Sequence, residues 1–117
     1  MAIKTTGVEW KRFLADEAYW GDFCVEEEVI SVNGNCLPMD HGTNPKTVQD
    51  GDRIAIHEGV VCSQEYEEGH PKEMHDLGQF FRAWRKKQTH VSFTVECKRD
   101  AADAIKAAVV AHGGKVL

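Results

Sequence analysis

Residues able to do chemistry are plentiful in this chain, but none is arranged as a catalyst requires. Three pairs of Cys or His share a five-residue offset: Cys36 with His41, His57 with Cys62, and His70 with His75. A zinc site combines such a pair with a second one, or with a CxxC or HExxH motif, and this sequence has neither motif. The run Glu26, Glu27, Glu28 is expected to alternate across a strand, placing Glu26 and Glu28 on one face. Paired carboxylates act as general acid and base only inside a cleft that shifts their pKa values; on a strand, a charge run more often forms a solvated edge. The segments SVNGN and GVVCSQ lack the partners of a nucleophile elbow. No glycines form a phosphate-cradling GxGxxG or GxxxxGK loop. The sequence therefore assigns no catalytic residue, no metal ligand and no cofactor. A small enzyme using surface carboxylates and histidines is the secondary reading.

Two charge clusters remain. Residues 1–52 carry ten acidic and four basic side chains, net −6, whereas residues 53–117 carry nine and ten, net +1. The acidic cluster comprises Glu9, Asp16, Glu17, Asp22, Glu26, Glu27 and Glu28, set against Lys11 and Arg12. The basic one, at the end of a predicted helix and beyond, comprises Arg82, Arg85, Lys86, Lys87, Lys98 and Arg99. Cations near a helix C-terminus are favoured by the macrodipole, so the basic cluster already has a structural cause. Its aromatic neighbours Phe80, Phe81 and Trp84 belong to an apolar stripe and are not free to stack on bases. The overall charge of −5 also argues against non-specific attraction to nucleic acid. Binding of nucleic acid through Arg82, Arg85, Lys86, Lys98 and Arg99 is thus an alternative, and the acidic cluster is the preferred partner surface.

The elements that must position these charges follow from periodicity. Thr6 and Glu9 have capping-box spacing and predict a helix over about 6–20, with Trp10, Phe13 and Leu14 on one face. CVEEEVISV runs into Asn33-Gly34, a hairpin signal, with a partner strand through Asn35–Met39. RIAIHEGVVC predicts another strand, with Gly59 suggesting a bulge that switches the face of Val60, Val61 and Cys62. Residues 65–69 read as a polar connection leading to Pro71 at the first position of a central helix, whose stripe is Met74, Leu77, Phe81 and Trp84. Val91, Phe93, Val95 and Cys97 alternate with polar residues and predict a strand with one buried face. A third helix, capped by Asp100 and buried through Ala101, Ala104, Ile105, Ala108 and Val109, should follow, with a short last strand at Lys115–Leu117.

These expectations make one α+β domain over residues 1–117, a mainly antiparallel sheet with three helices packed on one face. The second half fits a ferredoxin-like order. The expected core is Trp10, Phe13, Leu14, Leu77, Phe81, Trp84, Val91, Phe93, Val95 and Ile105. No apolar run reaches the roughly 20 residues that span a bilayer, and MAIKTTGVEW lacks the core of a secretion signal, so a cytoplasmic protein with no membrane partner is expected. Cys24, Cys36, Cys62 and Cys97 are scattered and are expected to be reduced thiols. The functional expectation is a small soluble protein-binding module that offers an acidic surface to a basic protein partner. A phage- or plasmid-type accessory or inhibitory protein has this size and composition, and the two charge clusters could also pair across a homodimer.

Overall fold

Thr6 closes the first strand and opens the first helix. The computed structural model describes residues 2–117, beginning with β1 (Ile3–Thr6), a strand the periodicity did not reveal. Thr6 Oγ1 accepts from Glu9 N at 3.3 Å and starts α1 (Gly7–Ala15). The capping box is only half made, because the Glu9 carboxylate bonds Thr5 Oγ1 and Arg85 instead. The carbonyls of Asp52 and Asp50 accept from Gly7 N and Val8 N at 2.8 and 3.1 Å. That approach requires glycine, since a Cβ on residue 7 would lie 1.8 Å from the Gln49 carbonyl oxygen. The helix expected over 6–20 breaks at Asp16, whose carboxylate accepts from Tyr19 N at 3.2 Å and caps the short α2 (Glu17–Trp20).

β2 (Cys24–Val32) turns at Asn33-Gly34, both with positive φ (52° and 87°), as a two-residue hairpin demands. Its partner β3 is only Asn35–Cys36, shorter than the expected Asn35–Met39. β4 (Arg53–Cys62) pairs antiparallel with the whole of β2, and β1 and β7 (Met74–Asp76) share its opposite edge. β2 carries an extra residue between Glu26 and Val29, and β4 one between Ile56 and Glu58. These matched bulges switch the inward face: Ile54 and Ile56 point into the core before the bulge and Val61 after it, the switch expected near Gly59. Between β4 and β7 the chain forms a separate hairpin, β5 (Tyr66–Glu67) and β6 (His70–Pro71), where a plain connection was expected. Pro71 therefore lies in a strand and Met74 in β7, exposed. α3 (Leu77–Thr89) begins later than predicted, capped by Asp76, whose carboxylate accepts from Gln79 N at 3.0 Å.

Helices α1 and α3 cover one face of the sheet through an aromatic cluster. Phe13 meets Phe81 edge-on at 5.0 Å, lies 5.2 Å from Trp10 and 5.5 Å from Trp84, and is itself fully buried. Each polar aromatic tip finds an acceptor: Trp10 Nε1 donates to the Gly42 carbonyl, Trp20 Nε1 to the Phe13 carbonyl and Tyr19 OH to the Phe80 carbonyl, each at 2.7 Å. Trp84 Nε1 donates to Asp16 Oδ2 at 2.9 Å. Rings this large contribute area, and satisfied N–H and O–H groups remove the cost of burying them. Ile3, Ile30, Ile54, Ile56, Val61 and Leu77 complete the core from the sheet side and the first turn of α3.

Among the described residues the architecture is α+β, four helices with a mostly antiparallel sheet. The C-terminal quarter departs from expectation. Residues 90–98 have no regular secondary structure and pair with no strand, and Val91, Phe93 and Val95 are 82, 77 and 50% exposed instead of buried. Cys97 is exposed as well. α4 (Ala102–Ala111) forms near its expected place but has no buried residue, so Ile105 is not core. Asp100 lies within a 3-10 turn, Arg99–Ala101, and makes no cap, and residues 115–117 form no strand. With 90–98 outside the sheet, the ferredoxin-like order expected of the second half is not borne out. The radius of gyration, 18.7 Å, exceeds the roughly 13 Å of a compact chain of this length because this arm stands off the body.

Candidate functional site

The acidic cluster predicted from the sequence is divided by the fold. Glu9 is bound to Arg85, with Glu9 Oε1 2.5 Å from Arg85 Nη2. Burial pushes the Glu9 carboxyl up, but hydrogen bonds from Arg85 and Thr5, with the charges of Arg85 and Arg12, outweigh it and hold the pKa below its ordinary value. Asp16 is engaged by Tyr19 N and the Trp84 indole. Glu28 is buried, 6% exposed, with Oε1 accepting from Asp40 N at 2.7 Å and Oε2 lacking a hydrogen bond among the described residues. The extra residue in β2 is why Glu26 and Glu28 do not share a face: Glu27 takes φ 55°, which turns Glu28 inward. Glu17, Asp22, Glu26 and Glu27 are left exposed.

Three of these four join a group that sequence order had separated. Asp22, Glu26 and Glu27 lie where β2 begins, opposite the end of β4, and the β5–β6 hairpin projects from that same end. Asp22 Oδ2 accepts from Gln64 N at 3.3 Å. Ser63, buried at the hairpin base, donates from Oγ to the Glu65 carbonyl at 3.1 Å and accepts from Glu73 N at 3.0 Å. The hairpin adds Glu65, Glu67, Glu68 and Glu73 to the same end of the sheet. Among the described residues, only Lys72 opposes them with a full positive charge, 3.4 Å from Glu65. The buried Cys62 thiol registers the field: burial first, then Glu26, Cys24 and Glu27, push its pKa up. The sequence signal for the hairpin was present in QEYEEGHPKE, where a Glu-Gly turn sits among four carboxylates, but Glu is not the Asn or Asp expected at such a turn.

The basic residues are dispersed. Arg85 serves the Glu9 pair, donates to the Lys4 carbonyl at 3.1 Å and lies 4.7 Å over the Phe81 ring. Lys87 Nζ lies 5.2 Å from the Tyr19 ring centroid. Arg82 borders a cleft at the start of α3 together with His57, Glu58 and Asp76. Lys86 flanks a shallow groove with His90 and Ser92, while Lys98 and Arg99 are exposed on the arm.

The sites where catalysis or metal binding could occur are poorly equipped. The cleft beside Arg82 holds about 150 Å³ and the open groove beside Lys86 about 300 Å³, against the range of about 300–1,000 Å³ typical of small-molecule sites. Ser31 Oγ and His57 Nε2 are 3.0 Å apart, but Ser31 is buried, and among the described residues no carboxylate bonds the second ring nitrogen. Among the described residues no three His, Cys, Asp or Glu side chains are grouped to hold a metal ion. All four cysteines are free thiols, and among the described residues no helix is long and apolar enough to cross a membrane. No protein-family model, curated protein or solved structure matches this chain.

Proposed function

We propose that the protein is a non-enzymatic binding module that receives a basic protein partner on the acidic end of its sheet, through Asp22, Glu26, Glu27, Glu65, Glu67, Glu68 and Glu73. The observation that carries this reading is the backbone of two of them. Glu27 and Glu68 have φ of 55° and 53°, a left-handed conformation that favours Gly or Asn and costs a side chain such as Glu about 1–3 kcal/mol. Glutamate at both positions adds charge where backbone fit favours other residues. The hydrogen bonds of Ser63 and Asp22 fix the hairpin to the sheet, so the carboxylates are presented as an ordered surface. Such a surface accelerates association with a cationic partner and competes for sites that otherwise hold phosphates, which suits an accessory or inhibitory protein.

The test uses a partner captured from the native host. Glu26→Lys with Glu67→Lys should slow its association several-fold at low salt, with little effect at high salt. Arg82→Glu with Lys86→Glu should leave the association rate unchanged. A folded protein whose partner is lost only with the arginine and lysine changes would overturn the reading.

A further inference from the structure

Two of the four thiols stand directly opposite one another. β2 begins at Cys24, β4 ends at Cys62, and the antiparallel register pairs these two residues. Directly opposed side chains share one face of a sheet, and their Cα atoms lie about 4.5–5.5 Å apart. A disulfide spans Cα atoms about 4.4–6.8 Å apart, so this pairing admits one without a shift of the strands. Cys24 Sγ already donates to the Cys62 carbonyl oxygen, at 3.7 Å. The thiols also feel each other: after burial and Glu26, charge on Cys24 helps to push the Cys62 thiol up. The other two thiols face no cysteine, since Cys36 pairs with Ser31 and Cys97 lies outside the sheet.

We infer that Cys24 and Cys62 form a redox site, a dithiol that a small-molecule disulfide converts into a reversible cross-strand disulfide. Burial gives the two thiols different tasks. Cys62 is 3% exposed and closed to reagents, whereas Cys24 is half-buried at the start of its strand. The Cys24 thiolate attacks one sulfur of the small disulfide, forming a mixed disulfide and expelling one small thiolate. The Cys62 thiolate then attacks the Cys24 sulfur, which breaks the mixed disulfide, forms the Cys24–Cys62 bond and expels the second small thiolate. The protein dithiol gives up two electrons, the small disulfide takes both, and the two thiol protons pass through solvent to the expelled thiolates. The bond fastens the first residue of β2 to the last of β4, beside the base of the β5–β6 hairpin. In the unfolded chain it joins residues 38 positions apart, so the oxidised protein is the more stable form. This site stands whether or not the acidic end receives a partner.

The experiment treats the full chain carrying Cys36→Ser and Cys97→Ser with cystamine, a small disulfide whose positive charge the exposed Asp22, Glu26 and Glu27 do not repel. Remaining thiols are then alkylated, and unreduced peptides are mapped by mass spectrometry. The expected product is one peptide pair joined through Cys24 and Cys62, with both thiols lost together and dithiothreitol restoring both. The urea midpoint should rise on oxidation and return on reduction. Adding Cys24→Ser should slow loss of the Cys62 thiol at least about 100-fold, because a buried thiol must then wait for the body to open. The fluorescence of Trp10, Trp20 and Trp84 should be the same in every reduced variant and report intact folding. A cystamine adduct on Cys24 that never resolves into the link would overturn the inference. So would a link that forms only in urea, or a Cys62 thiol lost equally fast without Cys24.

Discussion

The aromatic stripe of α3 and the alternating stretch that follows it are adjacent in the chain and equally apolar in pattern, yet one is buried and the other exposed. Leu77, Phe80, Phe81 and Trp84 belong to the core shared with α1 and the sheet, whereas Val91, Phe93 and Val95 stay exposed outside it. Both patterns report a face that must leave water; only the first carries partners within reach. In α3 the fit is specific, with the Trp84 indole donating to Asp16 and Phe81 edge-on to Phe13. Periodicity therefore identifies a buried face without saying which molecule buries it.

The sharpest contrast should be in thiol reactivity in dilute solution. Cys97 on the arm and Cys36 on the hairpin are exposed, while Cys62 is buried with a raised pKa. Labelling of Cys62 by a neutral disulfide reagent should lag both by about 10³-fold or more, because it waits on opening of the body. Comparable rates for all four cysteines would erase the distinction between body and arm.

Stability provides the next contrast. Trp84→Ala removes a buried ring and leaves Asp16 without its indole donor, and should cost about 3–5 kcal/mol by urea unfolding. Phe93→Ala, measured in the same dilute solution, should fall within about 0.5 kcal/mol of the unmodified chain. An unshifted midpoint for Trp84→Ala would mean that the orientation of α3 is wrong.

The smallest effect concerns the tie between α1 and α3. Because the folded Glu9 carboxyl titrates below its ordinary 4.5, the unfolded chain binds its proton more readily. The contribution of the Glu9–Arg85 pair is thus fully present above that value and disappears as pH falls through the folded pKa. Glu9→Gln should cost about 0.5–1 kcal/mol at pH 7, and the gap to the unmodified protein should close toward pH 3. A gap that widens with acid would reverse the assigned direction.

Much of the fold was legible in the residues, for reasons that are local. Asn33-Gly34 fixed a hairpin because few residues accept two successive positive φ values, and the three-and-four spacing of Leu77, Phe80, Phe81 and Trp84 fixed a helix face. Asp16 caps α2 through Tyr19 N, three residues on, but the bond of its other carboxylate oxygen to Trp84, 68 positions away, was not readable. The candidate site was legible only in part. Asp22, Glu26 and Glu27 stood out as a charge run, but their union with Glu65, Glu67, Glu68 and Glu73 needed the pairing of β2 with β4.

By itself the sequence determined the α+β class, the first hairpin, the buried faces of α1 and α3 and the overall acidity, all set by near-neighbour spacing and composition. Tertiary structure alone decided that Glu28 turns inward while Glu26 stays in water, through one extra residue in β2. It also decided that Glu9 and Arg85, predicted to serve opposite surfaces, neutralise each other. And it decided that the strand-like arm lies outside the sheet. Charge pairing, bulge placement and edge occupancy depend on contacts between residues far apart in the chain, and no local pattern encodes them.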